Sequence, residues 1–311
     1  MIEMKNVNNL TLNGKNVVKI SKPDGTVLWK KDLKWYEDKA YIASLTIDDI
    51  GTEQEVEVNG VIHKVRLIGI DHDVDENGNV IHTTWEFVNL ISDENGYCLA
   101  TYWKNTATTA GSNYDFLNSS IRKALTGKGD GDLHWFEKDS KTFSTTYADK
   151  TVLSMLPSDL ASVLKNVKKK VNINTDGTWT LTDFTDKLFL LSTKEMGYTS
   201  SAAEDLPIYD YYKNHTSETD AIRIKYQPKW HDGARTEVLS GTDLDGEYTS
   251  TKYSYAGYNS STQANGGVYW LRSPGSGFSN GAWFCGGGGY LNGSGYLVYY
   301  DAVGVAPAFC I

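Results

Sequence analysis

Apolar and polar residues alternate near both ends of this chain, and that alternation limits its fold more than any other feature. It runs through LTLNGKNVVKISKPDGTVLWKK near the start and through VEVNGVIHKVRLIGIDHD at 56–73. It returns near the end in GVYWLRSP and GVAPAFCI. A period of two residues is typical of strands with one buried face. Strands at both ends, with helical patterns between them, predict an α+β fold rather than a parallel α/β sheet.

The middle of the chain carries the helical patterns. One helix is predicted over 113–127, ended by Gly127, and a second begins at Ser158, which we interpret as its N-cap residue. The second helix is predicted to continue through the basic run KNVKKK at 165–170, as its polar face. DKLFLLSTKEMGY at 186–198 predicts a short buried strand and then a short helix.

Two units are predicted along the chain: a small β-rich attachment module at 1–34 and a main domain at 41–311. About thirty residues cannot bury a stable core alone, so we expect the module to pack on a neighbour or on another subunit. In the main domain, residues 56–70 predict a hairpin, 82–91 a further strand, and the polar stretch 199–265 mostly loop.

Composition excludes several classes of protein. The formal net charge of −9 over 311 residues argues against a nucleic-acid surface, which needs clustered Lys and Arg. Three cysteines without CxxC spacing describe neither a disulfide framework nor a zinc site. No secretory signal and no apolar run of about 18–20 residues is present, so we expect cytoplasmic synthesis and no membrane insertion.

Sequence motifs for cofactors and metals are absent or partial. DHDVDENGNVIH at 71–82 spaces Asp71, Asp73 and Asp75 as in a calcium loop, but lacks the Gly and Glu that an EF-hand requires. A solvated turn between strands explains the aspartates better than a metal site. We find no P-loop, no nucleophile elbow and no HExxH pair, and predict no cofactor.

The segment 275–303 has the most unusual composition in the chain. It holds nine glycines and seven aromatic residues, and Asp301 is its one charged residue. Tyr, Ser, Gly and Asn together are the mixture that antibody paratopes use for contact area and adaptable hydrogen bonds. A binding surface is therefore favoured over a glycine-rich meander whose rings simply pack. Arg272, just before it, is interpreted as a buried Arg that ties loops together rather than an anion ligand, and Cys285, without a local base, as inert.

The tail also resembles a known family. WLRSP at 270–274, a Gly-Tyr-Leu turn at 295–297 and the closing GVAPAFCI at 304–311 are similar to ligand-binding proteins diversified by retroelements. These have a C-type-lectin-like fold related to formylglycine-generating enzymes, and many are encoded by bacteriophages or gut bacteria. DHD, WEF and DKLFLLS extend the resemblance upstream, so that it covers about residues 41–311.

The resemblance implies a mechanism of diversification. Such systems randomise adenines, typically in AAC-type codons, which then cannot encode Lys, Glu, Gln, Met or Trp. Residues 275–303 contain no Lys, Glu, Gln or Met. Trp283 would then be fixed framework, together with Trp270 and Arg272. The expected ligand contacts are the rings and polar side chains of this segment: Ser276, Phe278, Ser279, Asn280, Phe284, Tyr290, Asn292, Tyr296, Tyr299, Tyr300 and Asp301.

The resemblance also implies partners and a location. The expected ligand is a cell-surface protein or glycan receptor, bound by a phage tail in the virion or by a bacterial surface. The start of the chain is similar to β-rich starts of phage tail-associated proteins, so the module at 1–34 is expected to contact other virion or surface subunits. The chain is also a candidate homo-oligomer. The alternatives are a formylglycine-generating-type oxidase, which needs two working cysteines, and a structural subunit without a specific ligand.

Overall fold

A computed structural model describes most of the main domain and the strands of the N-terminal module. The described residues are 33–94, 98–101, 103, 115–129, 133, 135, 144–175, 178–198, 206–225, 268–275, 282–286, 289–292 and 303–311, with backbone only for 10–12, 15–17, 19–21, 27–30, Thr175 and Asn292.

The N-terminal region contains two short antiparallel pairs. Strand β1 (Leu10–Leu12) pairs with β2 (Lys15–Val17), and β3 (Lys19–Ser21) pairs with β4 (Val27–Lys30). Two turn signals, Asn13-Gly14 and Pro23-Asp24-Gly25, lie in sequence between the strands of the first and the second pair.

Within the described residues, the main sheet has six strands, and all their pairings are antiparallel. The strands are β5 (Glu53–Val58), β6 (Val61–Asp75), β7 (Val80–Phe87), β8 (Val167–Thr175), β9 (Thr178–Asp186) and β13 (Ala308–Cys310). The spatial order is β13-β7-β6-β8-β9, with β5 also paired to β6. The last strand of the chain therefore closes the sheet beside β7, where Phe309 lies opposite Trp85.

The predicted hairpin at 56–70 corresponds to β5 and β6. Its turn is Asn59-Gly60, with φ of 49° at Asn59 and 80° at Gly60. Positive φ at both central residues is the requirement of a type I′ turn, which Asn-Gly meets with little steric cost. The strand predicted over 82–91 corresponds to β7, which begins and ends earlier.

A second, three-stranded antiparallel sheet lies in the tail. It comprises β10 (Tyr269–Pro274), β11 (Ala282–Cys285) and β12 (Leu291–Asn292). Two of its strands, β11 and β12, lie within the segment 275–303.

The helices are short. They are α1 (Lys39–Ser44), α2 (Ser120–Thr126), α3 (Val152–Met155) and α4 (Ser158–Val163), with single 3-10 turns at Trp35–Glu37, Ile47–Asp49, Asp210–Tyr212 and Ala221–Arg223. In α2 the Ser119 side chain accepts a hydrogen bond from the Arg122 N–H, and Gly127 ends the helix with φ of 80°. None of the helices in the described residues is long and apolar enough to cross a membrane.

The predicted helix through KNVKKK is wrong. Helix α4 ends at Val163, with Pro157 rather than Ser158 at the N-cap position, and β8 begins at Val167. Val167 and Lys169 are buried while the lysines beside Lys169 are exposed, so the run follows the period of a strand. The basic residues had been assigned to one helix face, whereas they alternate across a sheet.

The prediction for 186–198 is also corrected. Phe189 makes an isolated bridge to Ala308, and residues 193–197 form a turn rather than a helix. The apolar residues of this stretch, Leu188, Phe189, Leu190 and Leu191, are buried as expected. Taken together, the described elements form a mixed α and β fold in which antiparallel strands dominate, as the alternation predicts.

Candidate ligand surface and its buried frame

Strand β11 is the centre of the candidate site because it lies between β10 and β12. Phe284 is opposite Trp270 on β10 and opposite Asn292 on β12, while Cys285 is opposite Tyr269 and Leu291. Phe284, Cys285 and Leu291 are all buried. Part of the predicted variable segment is thus built into the core of the tail sheet.

The three residues expected to be framework, Trp270, Arg272 and Trp283, are all buried. The indole N–H of Trp270 donates to the carbonyl of Thr101 at 2.9 Å. Trp283 packs against the half-buried ring of Tyr198, with 5.5 Å between ring centroids. These contacts tie β10 and β11 to distant parts of the chain.

Phe284 requires a correction, because it was expected to contact a ligand. Its exposed fraction is 1%, so its ring is part of the core and cannot present area to a partner. Tyr290, also an expected contact, is half-buried and meets Phe284 edge to face at 6.2 Å between centroids. Gly286 permits this placement, since a Cβ there would lie 2.2 Å from the Tyr290 ring.

The chain after Gly286 is held by the loop at 218–221. The N–H of Leu291 donates to the carbonyl of Glu218 at 3.0 Å, and the Gly289 carbonyl accepts from the Asp220 N–H at 3.1 Å. Gly289 has φ of 79°, and a Cβ there would lie 2.1 Å from the Asp220 carbonyl oxygen. Only glycine tolerates both the backbone conformation and this approach.

The other expected ligand contacts lie outside the described residues. They are Ser276, Phe278, Ser279, Asn280, Tyr296, Tyr299, Tyr300 and Asp301, and of Asn292 only the backbone is described. In sequence they occupy the two stretches that adjoin the fixed strands, before β11 and after β12.

Arg272 links this tail sheet to a cluster of buried charges. Its Nε donates to the Lys170 carbonyl at 3.0 Å, and its Nη1 contacts the Leu190 carbonyl and the Glu195 carboxylate, each at 2.5 Å. The interpretation of Arg272 as a residue that ties loops together agrees with these contacts. Its partners come from β8 and from the turn that follows residue 190.

Lys169 is at the centre of this cluster. Its Nζ lies 2.5 Å from Oδ1 of Asp73 and 2.9 Å from Oε1 of Glu195. Burial would lower the pKa of the lysine, but the two carboxylates raise it. Burial would likewise raise the pKa of Glu195, yet Arg272 and Lys169 lower it to about 2. The cluster therefore holds two positive and two negative charges in the core.

A second buried cluster surrounds Glu86 on β7. The Nζ of Lys225 lies 2.7 Å from Glu86 Oε2, Arg66 lies 3.9 Å from the other oxygen, and the Tyr212 hydroxyl contacts both oxygens at 2.8 and 2.9 Å. Here burial lowers the pKa of Lys225, and Glu86 offsets that effect only in part. This cluster fixes the loop at 206–225 against the main sheet.

Arg223 completes the frame through hydrogen bonds to backbone carbonyls. It is fully buried and donates to the carbonyls of Met196 at 3.1 Å, Ser217 at 2.8 Å and His215 at 2.5 Å. Its own carbonyl accepts from the Tyr269 hydroxyl at 2.8 Å. The guanidinium geometry suits this role, because five fixed donors can bind several carbonyls at once.

Comparison with known proteins assigns the chain to a family. The model of the family described as domain of unknown function DUF6273 matches residues 90–311. The chain belongs to the DUF6273 family. Searches of curated proteins and of solved structures returned no match.

The DUF6273 match covers only part of the main sheet. It contains β8 to β13 but begins after β5, β6 and β7. Nevertheless β7 pairs with β13, and β6 pairs with β8, in one sheet. The fold of this DUF6273 protein therefore requires strands from before residue 90, and Asp73 and Glu86, which anchor the two buried clusters, come from them.

The cysteines of this DUF6273 protein are buried thiols. Burial raises the pKa of Cys285 to about 12 and raises that of Cys310 well above its usual value. Cys98 is also buried, as a thiol rather than in a disulfide. A thiol acts as a nucleophile only as its thiolate, which these surroundings disfavour.

The aspartates with calcium-like spacing point in different directions. Asp71 has φ of 50° and contacts Nδ1 of His82 at 2.9 Å, whereas Asp73 turns inward to Lys169. Asp75 accepts two backbone hydrogen bonds of 2.8 Å from the turn that follows it. In the described residues no group of three or more His, Cys, Asp or Glu is placed to hold a metal ion.

The buried charges of Lys169, Glu195 and Lys225, which hold the frame together, were not predicted from the sequence. For Lys169 a signal existed, since it occupies the inward position between Val167 and Val171 in an alternating run. Glu195 and Lys225 lie in turn and loop sequence with no comparable pattern, so only the fold identifies them.

Proposed function

We propose that this protein is a non-enzymatic ligand-binding protein that displays a changeable surface from the segment 275–303. The observation that carries the proposal is the division of this segment. Residues 282–286 and 289–292 are fixed by strand pairing and by the loop at 218–221, and the predicted contacts other than Phe284, Tyr290 and Asn292 adjoin these fixed parts in sequence. A diversified binding surface needs rigid strands, and beside them positions that can accommodate many residue types.

The proposed fold is C-type-lectin-like and the proposed mechanism of change is adenine randomisation by a retroelement. The absence of Lys, Glu, Gln and Met from 275–303 supports this mechanism. Trp283, which such codons cannot encode, is buried against Tyr198 and suits an invariant position. Trp270 and Arg272 hold β10 in the same frame.

Binding would work through rings and small polar groups. Tyr290 is half-buried, with its ring supported by Gly286 and Phe284. A supported ring contributes contact area at low cost in conformational entropy. The ligand class we propose is a cell-surface protein or glycan receptor, met by a phage tail or a bacterial surface. Display in several copies, through the module at 1–34 or a homo-oligomer, would add avidity.

A formylglycine-generating-type oxidase is the less favoured function. It needs two cysteines that can work as thiolates, and Cys285 and Cys310 both lie in the core with raised pKa values. Oxidation of a cysteine-containing peptide by the purified protein, in the presence of copper, would revive this alternative.

The binding proposal is tested with the triple variant Tyr290→Ala, Tyr299→Ala and Tyr300→Ala. The probes are a glycan microarray and a panel of intact bacterial cells. We expect the variant to lose at least about tenfold in affinity for whichever probe the wild type binds, since each ring of a hot spot contributes 1 kcal/mol or more. Ile62→Ala is the control, because Ile62 is exposed and belongs to the β5–β6 hairpin of the main sheet. Equal affinity of wild type and triple variant would refute the proposed surface.

The mechanism of diversification has its own test in the neighbouring DNA. We expect a reverse-transcriptase gene and a near-copy of the segment that encodes 275–303, differing only at adenines. Sibling genomes should then vary at Tyr299 and Tyr300 but not at Trp283. A segment that varies no more than its framework would instead favour a structural subunit without a specific ligand.

A further inference from the structure

Three buried side chains, those of Asp73, Lys169 and Glu195, are in contact. The amine therefore has one carboxylate more than a simple ion pair requires. Val74 and Asp75 pair with Lys168 and Val167 in the β6–β8 ladder, and Asp73 and Lys169 follow next on the two strands. Their exposed fractions are 6% for Asp73, 4% for Lys169 and 1% for Glu195. An amine, a carboxyl group and a second carboxylate are thus in contact in the core.

We infer that Lys169 and Asp73 become joined by an isopeptide bond between Nζ and Cγ, formed by the chain itself with loss of one water molecule. The contact of 2.5 Å between Nζ and Oδ1 and that of 2.9 Å between Nζ and Glu195 Oε1 carry the inference. The reaction needs no oxidant and no cofactor, because amine and carboxyl group condense without any change in oxidation state.

The step balances in atoms and charge. One ammonium proton moves from Nζ to Oδ1, which leaves a neutral amine beside a neutral carboxyl group. The amine lone pair attacks Cγ, and the Glu195 carboxylate takes the second proton from the nitrogen. Glu195 returns that proton to the departing hydroxyl, the bond between Cγ and Oδ1 breaks, and water leaves. The third proton stays on the amide nitrogen.

The other oxygen of Asp73 is surrounded by hydrogen-bond donors. Oδ2 accepts from the Thr84 hydroxyl at 2.7 Å and from the Tyr209 hydroxyl at 2.7 Å, and the Cys310 thiol lies 3.6 Å away. Negative charge develops on this oxygen when the amine attacks. Donors already placed at such an oxygen stabilise the tetrahedral intermediate of acyl transfer.

The charges of the cluster also fit the product. Burial opposes the ionised forms of Asp73 and Lys169, and their mutual attraction keeps the pair charged at the start, with the pKa of the aspartate well below and that of the lysine above its usual value. Bond formation removes both charges from the core. Glu195 and Arg272 then remain as an ion pair that already exists at 2.5 Å. The product therefore carries a smaller desolvation cost than the starting cluster.

A comparison with Lys225 identifies the feature that distinguishes Lys169, which is its second carboxylate partner. Within the described residues Lys225 has one carboxylate partner, Glu86, and both oxygens of that carboxylate accept from the Tyr212 hydroxyl. In the part of the chain that the structure describes, no second carboxylate lies beside its amine to move a proton. We therefore expect Lys225 to remain a free lysine, and it serves as the matched control.

The test is the intact mass of the purified full-length chain, measured under denaturing conditions. We expect the wild type to be lighter than its sequence by one water molecule, and a proteolytic digest to contain the Asp73 peptide joined to the Lys169 peptide. A wild-type chain at its full sequence mass would overturn the inference and leave an ion pair. This readout does not require any variant to fold.

Variants then identify the atoms involved. Lys169→Arg should restore the full mass. If it still lacks one water, the loss arises elsewhere, as at an Asp-Gly succinimide, and the inference fails. Asp73→Asn should lose ammonia and reach the wild-type mass, and Lys225→Met should keep the loss of water. Glu195→Gln, with its fold checked by circular dichroism, should stay at full mass; loss of water in this variant would remove Glu195 from the mechanism. None of these readouts depends on ligand binding.

Discussion

Lys169 and Lys225 are both buried lysines in the main domain, yet their surroundings act on them in opposite directions. Lys169 contacts two carboxylates, and its pKa is raised despite burial. Lys225 has Glu86 and a nearby Arg66, and its pKa is lowered. The difference teaches that the number of nearby carboxylates decides whether attraction or desolvation dominates in this core.

The largest expected effect comes from removing Arg272, which balances the Lys169 cluster. Arg272→Ala should lower the free energy of unfolding by about 3–5 kcal/mol, the cost of breaking a buried ion pair. Glu195 and the carbonyls of Lys170 and Leu190 would each lose a hydrogen bond from Arg272. Urea unfolding at a constant m-value is the measurement. Arg272→Lys should lose less, because it keeps the charge, and an equal loss would mean that only the guanidinium geometry matters.

Lowering the pH tests the Lys169 cluster, because it protonates the Glu195 carboxylate. Its folded pKa of about 2 lies below the unfolded value, so its stabilisation is present above about pH 4.5 and is lost as the pH falls through 2. Between these pH values the protein in which Asp73 and Lys169 are still ionised should lose about 3 kcal/mol of unfolding free energy through this group. Once the two residues are condensed, Arg272 alone lowers the pKa of Glu195, and the loss should be smaller. Glu195→Gln should lack that part of the loss, as measured by urea unfolding at both ends of the range. Parallel acid curves for the two proteins would contradict the assignment.

A rise in pH tests the Lys225 cluster, where the lowered pKa means that the charged form costs stability, whereas the charged form of Glu195 contributes it. Because the folded pKa of Lys225 is lowered, the unfolded chain binds its proton more tightly, and stability rises with pH up to about 10.4. The difference between wild type and Lys225→Met should therefore shift in favour of the wild type over this range. We expect a shift of about 1 kcal/mol for each unit by which the pKa is lowered. A difference that does not change with pH would place Lys225 in an unperturbed environment.

The smallest effect is expected at the exposed pair of Lys168 and Asp183, next to Lys169 on the other face. Their ion pair of 2.8 Å lies between side chains that are both more than 40% exposed. Asp183→Asn should change the unfolding free energy by less than about 1 kcal/mol, since exposed pairs are screened by solvent. A larger change would show that the hairpin of β8 and β9 is held by its surface charges rather than by burial.

Local patterns predicted those elements whose cause lies within a few residues. The Asn59-Gly60 turn and the helix end at Gly127 depend on backbone conformations that Asn and Gly adopt readily, so the sequence is sufficient there. The KNVKKK run was misassigned because a short basic run fits either period. Phe284 was misassigned because composition does not say which ring of a glycine-rich segment turns inward.

By itself, the sequence determined the antiparallel character of the fold and the position of its tight turns, since alternation and turn chemistry act over neighbouring residues. Only the tertiary structure decided which charges are buried. Lys169 and Asp73 are 96 positions apart, and Arg272 and Glu195 are 77 apart. A lysine enters a core only where carboxylates from distant segments meet it, because its desolvation must be offset by partners at contact distance.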